Sequence, residues 1–543
     1  MPMLLKKIVL ALIPFVAATT VHGGIWTPLA SQAPDYINLL LLLPDGTVIG
    51  QAVEGKDWYR LTPDLHGSYV NGTWTALAAM HHTRLYFSSD VLTNGQVLVA
   101  GGEYGTGGGN SEIYDPLSNV WTVVPVPPGV LTNGGFSDSI SVILPDGNVL
   151  AAPDNPATNG NTAIYITVSN TWSVGPKLFR GSTQSEASWV KLPDDSILTI
   201  DHGNHSERFI PSLNEWVDDA NVGQTMYSTI GEMGAAFLLP NGQAFFLGGS
   251  GNTALYTPTG TTATGAWVAG PVIPDGFGIE DGPAAMMFNG KILCDVGNPT
   301  NYDAPAYFFE YDPVANSFTQ VNAPTGVTDD VSPYEGIMLD LPDGTVLYSH
   351  DDTDLYVYQP DGSPLAAGKP AISNLTANAD GSFTLAGTLL NGISEGAAYG
   401  DDAQMNSNYP LVRLTNSVGN VYYERTYDWS STGVMTGNKL VTTQFTNSAA
   451  LPPGAYSLVV VANGISSDPF SFFIQPELAI ILSGTKVVLT WPANAMGFIL
   501  ESTTNLGPAA VWSTVLPSPV VVNGQNVVTN QISGAQEFFR LSQ

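Results

Sequence analysis

The 543-residue chain has one cysteine, Cys294, and only 16 lysines and arginines against 47 aspartates and glutamates. A lone cysteine excludes an intrachain disulfide framework. It sits in the apolar run Lys291-Ile292-Leu293-Cys294, where a buried small hydrophobe is expected rather than a reactive thiol. The net charge of −31 argues against nucleic acid and anionic membrane surfaces as partners and favours cations and basic or neutral ligands, with solubility of an exported protein as the alternative reason for it. Long amphipathic helical patterns are also missing, while 57 glycines and 39 prolines mark many turns, so the chain reads as all-β. Only Ile8–Ala18 is a sustained apolar run, and it is too short to span a bilayer. Lys6 and Lys7 precede it and small residues follow, so residues 1–23 read as a secretory signal peptide, with an uncleaved anchor as the alternative. Cleavage removes two lysines and no acid, taking −31 to −33. The expected product is secreted or displayed at the cell surface, with no membrane span in the mature chain.

What is present is a repeated turn. Leu43-Pro44-Asp45-Gly46, Leu92-Thr93-Asn94-Gly95, Leu144-Pro145-Asp146-Gly147, Leu192-Pro193-Asp194-Asp195, Leu239-Pro240-Asn241-Gly242, Phe288-Asn289-Gly290 and Leu341-Pro342-Asp343-Gly344 recur at intervals of 47 to 54 residues. Asp-Gly and Asn-Gly are expected to supply two positive-φ residues to a tight hairpin. β-rich stretches flank each turn, and a hairpin period near 50 is the signature of a kelch-type β-propeller. A second mark follows most hairpins: an aromatic and turn, then Asn and Trp, as in Tyr114-Asp115-Pro116 with Asn119-Val120-Trp121. These tryptophans are expected between neighbouring sheets. The seventh repeat has no such Trp strand before Pro370, and Gly24–Pro28 is available to supply it and close the ring.

The expected fold is therefore a seven-bladed kelch-type β-propeller over residues 24–366. An immunoglobulin-like β-sandwich over 370–475 and a small C-terminal β-sandwich module over 476–543 follow it.

The turns, the stretch Tyr334–Gly344 and the loop Tyr399–Gln404 ahead of Tyr409-Pro410-Leu411 resemble the galactose oxidase and glyoxal oxidase family over about residues 24–475. The resemblance implies a copper site on the propeller axis. It would hold a Tyr-His pair, a Cys cross-linked to a Tyr, and a second His on the sandwich loop. Those places fall on Tyr334-Glu335, near Tyr86 and Asp138, and near Gly400. Both imidazoles and the cysteine are replaced, so copper and its radical chemistry are not expected.

Nine residues before each turn Gly, or Asp195, lie Ile37, Tyr86, Asp138, Glu186, Met233, Asp281 and Glu335, with Glu232 and Glu280 one earlier. These positions open each innermost strand at one mouth of the channel. Arg84, Arg180 and Arg208 are the only arginines of repeats two to seven, too few to pair the acids. Converging carboxylates raise one another's pKa or require a cation. Three readings stand: structural acids bonded to backbone N–H groups; a site for Ca²⁺ or a sugar built from Arg84, Tyr86, Asp138, Glu186, Glu232, Asp281, Tyr334 and Glu335; or an extracellular glycan-acting enzyme using Asp138, Glu186 or Glu335 as acid and base. His202, His205 and Glu207 form a weaker candidate set for Zn²⁺ or Cu²⁺, on a loop where ordinary hydrogen bonding is the alternative. His81-His82 is read as structural. An extracellular carbohydrate or protein partner is expected, with binding favoured over catalysis and a protein-interaction scaffold as a further class.

Overall fold

A computed structural model describes residues 23–542 except 54, 108, 127–128, 131–135, 156–159, 400–402, 449–450 and 496. The signal-peptide reading of 1–23 falls almost wholly outside these residues.

Each turn motif closes a hairpin through one positive-φ residue, not two. Gly46 has φ 73° and donates its N–H to Leu43 O at 2.9 Å, while Leu43 N–H donates to Thr47 O at 2.8 Å. That is a type I turn followed by a left-handed residue; Pro44 suits its first corner, and Leu92–Gly95 makes the same turn without a proline. Asp45 Oδ1 holds the turn by accepting from the Thr47 N–H at 3.0 Å. Asp195 replaces Gly in the fourth copy at φ 65°, a conformation Asp tolerates better than most residues.

The Tyr…Asn-x-Trp motif has its own mechanism. Asn119, Asn170 and Asn316 turn the chain at φ 54°, 52° and 52°. Their amide oxygens accept from the hydroxyls of Tyr114, Tyr165 and Tyr311 at 3.0, 2.7 and 2.9 Å. The indole N–H then reaches the preceding sheet: Trp121 donates to Ala78 O at 2.9 Å, Trp172 to Ser111 Oγ at 2.8 Å and Trp267 to Ser206 Oγ at 3.0 Å. Each tryptophan therefore joins two sheets, and truncating one such as Trp172, 3% exposed, costs about 3–5 kcal/mol.

The result is a nearly all-β chain with a series of four-stranded antiparallel meanders, a propeller-like arrangement. The first sheet comprises Ile37–Leu42, Val48–Ala52, Trp58–Thr62 and Thr73–Ala76. Sheets opening with Ser88–Val91, Ser137–Ile143, Trp189–Lys191, Ala236–Leu238 and Pro283–Met286 repeat the order. The last contains Ile337–Asp340, Val346–Ser349 and Tyr356–Gln359, and its fourth strand is Ile25–Pro28, which places Trp26 opposite Tyr358.

After residue 370, two sheets share a core that includes Leu385, Val412, Leu414, Leu458 and Phe472. The C-terminal strands pack separately around Leu489, Trp491 and Leu500. One hairpin leaves the first of these modules. Its strands Gly396–Tyr399 and Ala403–Asn406 join the sixth sheet, with Tyr399 opposite Pro283. It packs against the inner strands of the first, second, third, sixth and seventh sheets. Lys191 of the fourth sheet reaches it through Glu395 at 2.9 Å. The inner strands thus surround one inserted hairpin. Among the described residues, no helix is long and apolar enough to cross a membrane.

Candidate metal and ligand site

The segments that lead into the fourth, fifth and sixth inner strands bring three carboxylates together. Glu186, Glu232 and Asp281 each place one oxygen within 4.8 Å of the others. Glu186 and Asp281 adopt φ 53° and 46°, and Tyr86, at the equivalent place in the second repeat, φ 46°. Glutamate and tyrosine carry a steric penalty there, of about 1–2 kcal/mol per residue. Glu232 is 6% exposed; one oxygen accepts from the Tyr302 hydroxyl, and Oε2 has no protein partner. Burial, the bond to Glu232 and the fields of Asp281 and Glu186 push the Tyr302 phenol far above its ordinary value.

Two more tyrosines and a further acid flank the group. Tyr334 meets Tyr302 edge-on, ring centroids 5.6 Å apart. Tyr104 is 83% exposed, and Glu103, then burial, with contributions from Glu186 and Asp281, push its phenol up to about 12. Burial, with Glu232 adding to it, pushes Glu280 up to about 7.

Several expected participants have other partners or lie outside the described side chains. Arg84 is fully buried, donating to Gly101 O and to Asn110 O and Glu112 Oε1 at 3.1 Å each, so it is a structural brace and not a ligand contact. Arg180 pairs with Asp218 and Arg208 with Asp219, the latter at 3.0 Å. Glu335 Oε2 accepts from the Ser332 N–H at 2.9 Å and caps the turn Pro333–Glu335. The Asp138 backbone lies in Ser137–Ile143, but its side chain is outside the described residues, as is Gly400. Ile37 and Met233 are core residues.

The histidine set does not converge. Glu207 accepts from the Phe179 and Arg180 N–H groups at 2.7 and 2.8 Å. His205 bonds to Asp201 at 3.2 Å, and His202 stacks on Tyr227 at 3.9 Å. Glu112 takes the His81 and His82 N–H groups in the same way, at 2.8 and 3.2 Å. His350 is tied to Asp329 at 2.8 Å. Cys294 is fully buried, and burial raises its thiol pKa. The three groups that converge are carboxylates, oxygen donors of the kind a hard cation such as Ca²⁺ takes.

Tyr302 escaped sequence reasoning. Its neighbour Asp303 carries the loop's charge signal, and nothing local ties Tyr302 to an acid 70 positions away.

No protein-family model and no curated protein matches the chain. Solved structures similar in backbone path include a fungal alcohol oxidase of the AA5 family in complex with copper, at 15% identity and TM-score 0.49, covering 83% of this chain and 99% of that one. YCF48 from Cyanidioschyzon merolae is 13% identical with TM-score 0.42, covering 62% and 98%. The WD40 β-propeller domain of Doa1 is 10% identical with TM-score 0.39, covering 64% and 99%.

Proposed function

We propose that this is an exported binding protein. It holds a hard divalent cation, Ca²⁺ by preference, between Glu186, Glu232 and Asp281, and takes a hydroxyl-rich carbohydrate on that cation and the tyrosines around it. The observation that carries the reading is the approach of three carboxylates to within 4.8 Å, with all three arginines of these repeats committed elsewhere. Carboxylate oxygens are the ligands Ca²⁺ selects, and hydroxyls complete its shell readily. Tyr104, Tyr302 and Tyr334 supply ring faces and phenols to orient a sugar. Thermal melts of chelated protein with and without saturating Ca²⁺ test this; an unchanged melting temperature would sink it.

The scaffold we propose is a seven-bladed kelch propeller over 24–366, galactose oxidase-like, followed by an immunoglobulin-like sandwich over 370–475 and a small module over 476–543. Pairing of Ile25–Pro28 with Tyr356–Gln359 supports closure of the ring. Copper-radical oxidation is not part of this function, because the mouth's donors are oxygens. A tyrosyl-radical band on copper loading and oxidation would overturn that. Signal-peptide cleavage after about residue 23 is tested by N-terminal sequencing of the mature product.

A second reading, acid–base action on a glycan, is favoured by the approach of Glu186 to Glu232 and Asp281, since neighbouring carboxylates can divide acid and base roles. Turnover lost in a folded Glu186→Gln variant would support it.

A further inference from the structure

A cleft of about 880 Å³ lies away from the acidic mouth, between the turn end of the first sheet and the module after residue 370. It falls in the size range of ligand pockets, about 300–1,000 Å³. Its two walls are fixed to each other. Val421 N–H donates to Leu65 O at 2.8 Å, Thr426 N–H to Pro44 O at 3.3 Å, and the Tyr409 hydroxyl to Leu42 O. Arg425 donates to Asn94 O on the neighbouring repeat. A ligand therefore meets a preformed cleft and does not have to order one.

We propose that this cleft is a second binding site, for a neutral oligosaccharide. One wall presents Leu65 and Leu117, which are 56% and 72% exposed. The other presents Tyr427, whose ring carries the Arg425 guanidinium 5.3 Å from its centroid and whose hydroxyl shares a hydrogen bond with Thr446 Oγ1 at 3.0 Å. A pyranose matches that combination: its C–H face packs on apolar and aromatic surface, and its hydroxyls both donate and accept. The lining acids Asp45 and Asp64 outnumber Arg425, so the cleft repels sulfated, phosphorylated or uronic ligands. Their oxygens are already engaged. Asp45 Oδ1 takes the Thr47 N–H at 3.0 Å, Asp64 Oδ1 the His66 and Ser68 N–H groups at 2.9 Å each, and Glu424 the Ser448 N–H and hydroxyl.

The test is calorimetric titration of the full chain with cellohexaose, maltohexaose and xylohexaose, in chelator. At least one should bind, and Tyr427→Ala should weaken it tenfold or more. Leu117→Asp, on an exposed turn, should do the same without unfolding the protein, while Asp281→Asn at the mouth leaves binding unchanged. Binding of none of the three overturns the proposal. So does undiminished binding by Tyr427→Ala, loss on Asp281→Asn alone, or binding of oligolysine in place of the sugars.

Discussion

Asp281→Asn should act in opposite directions on the metal-free and metal-loaded protein. Without a cation, Asp281, Glu186 and Glu232 repel across at most 4.8 Å. Two unit charges at that distance interact by about 3.5 kcal/mol at an effective dielectric of 20, and by about 0.9 kcal/mol in water. Asp281 is half-buried, so removing its charge should stabilise the metal-free protein by about 1–3 kcal/mol, or about 1–3 °C in Tm. Asparagine keeps the shape and tolerates the φ of 46° at this position, so backbone strain does not confuse the comparison. The same change removes one charged ligand, so the rise in Tm on adding Ca²⁺ should shrink or vanish. For the parent protein that rise corresponds to about 2.7 kcal/mol at a hundredfold excess over Kd. Differential scanning calorimetry in chelator and in Ca²⁺ reads both effects. A variant that melts lower in chelator, or keeps the full Ca²⁺ response, refutes the reasoning.

Lys191→Met should cost about 3–5 kcal/mol in urea unfolding, because Glu395, 2.9 Å from the buried ammonium, loses its partner. Combining it with Glu395→Gln should recover most of that loss. Burial raises Asp90 to about 7 and Asp340 to about 8, from 3.8. The folded state thus holds these protons more tightly, so their contribution is full below about pH 4 and is lost as pH rises through 7 to 8. Urea midpoints measured between pH 5 and 9 should fall across that window, and Asp340→Asn should flatten part of the fall. Arg84→Met should destabilise the fold, by removing a buried partner of Glu112, without changing Ca²⁺ affinity; a selective loss of Ca²⁺ binding would return Arg84 to the site.

Local chemistry is the legible part of this sequence. The turn repeat is written in residues a few positions apart, and so is the Asn that bends three of the outer hairpins and accepts the tyrosine hydroxyl. Only the turn type differs from expectation: Pro44 lacks the N–H that would pair it across a two-residue Asp45-Gly46 loop, so the loop takes three residues and only Gly46 has positive φ. Counting back from the turns locates Glu186 and Asp281, because those segments keep a constant length ahead of the inner strand. At the fifth repeat the counted position is Met233, which lies in the core, and the acid that joins the triad is Glu232 beside it. The same count puts Glu335 at the mouth, although Ser332-Pro333-Tyr334-Glu335 spells a capping box. Arg84, Glu207 and Tyr302 depend on partners 28, 27 and 70 positions away, which no spacing rule supplies. The hairpin at Gly396–Asn406 reads as a loop in the sequence; its pairing with Pro283–Met286 comes from the way the following module docks.

Direct titration of chelated protein with Ca²⁺ tests the mouth most simply. One ion should bind per chain, with affinity strongly reduced in both Asp281→Asn and Glu232→Gln. Absence of binding, or binding that survives both substitutions, would contradict a cation site built from Glu186, Glu232 and Asp281.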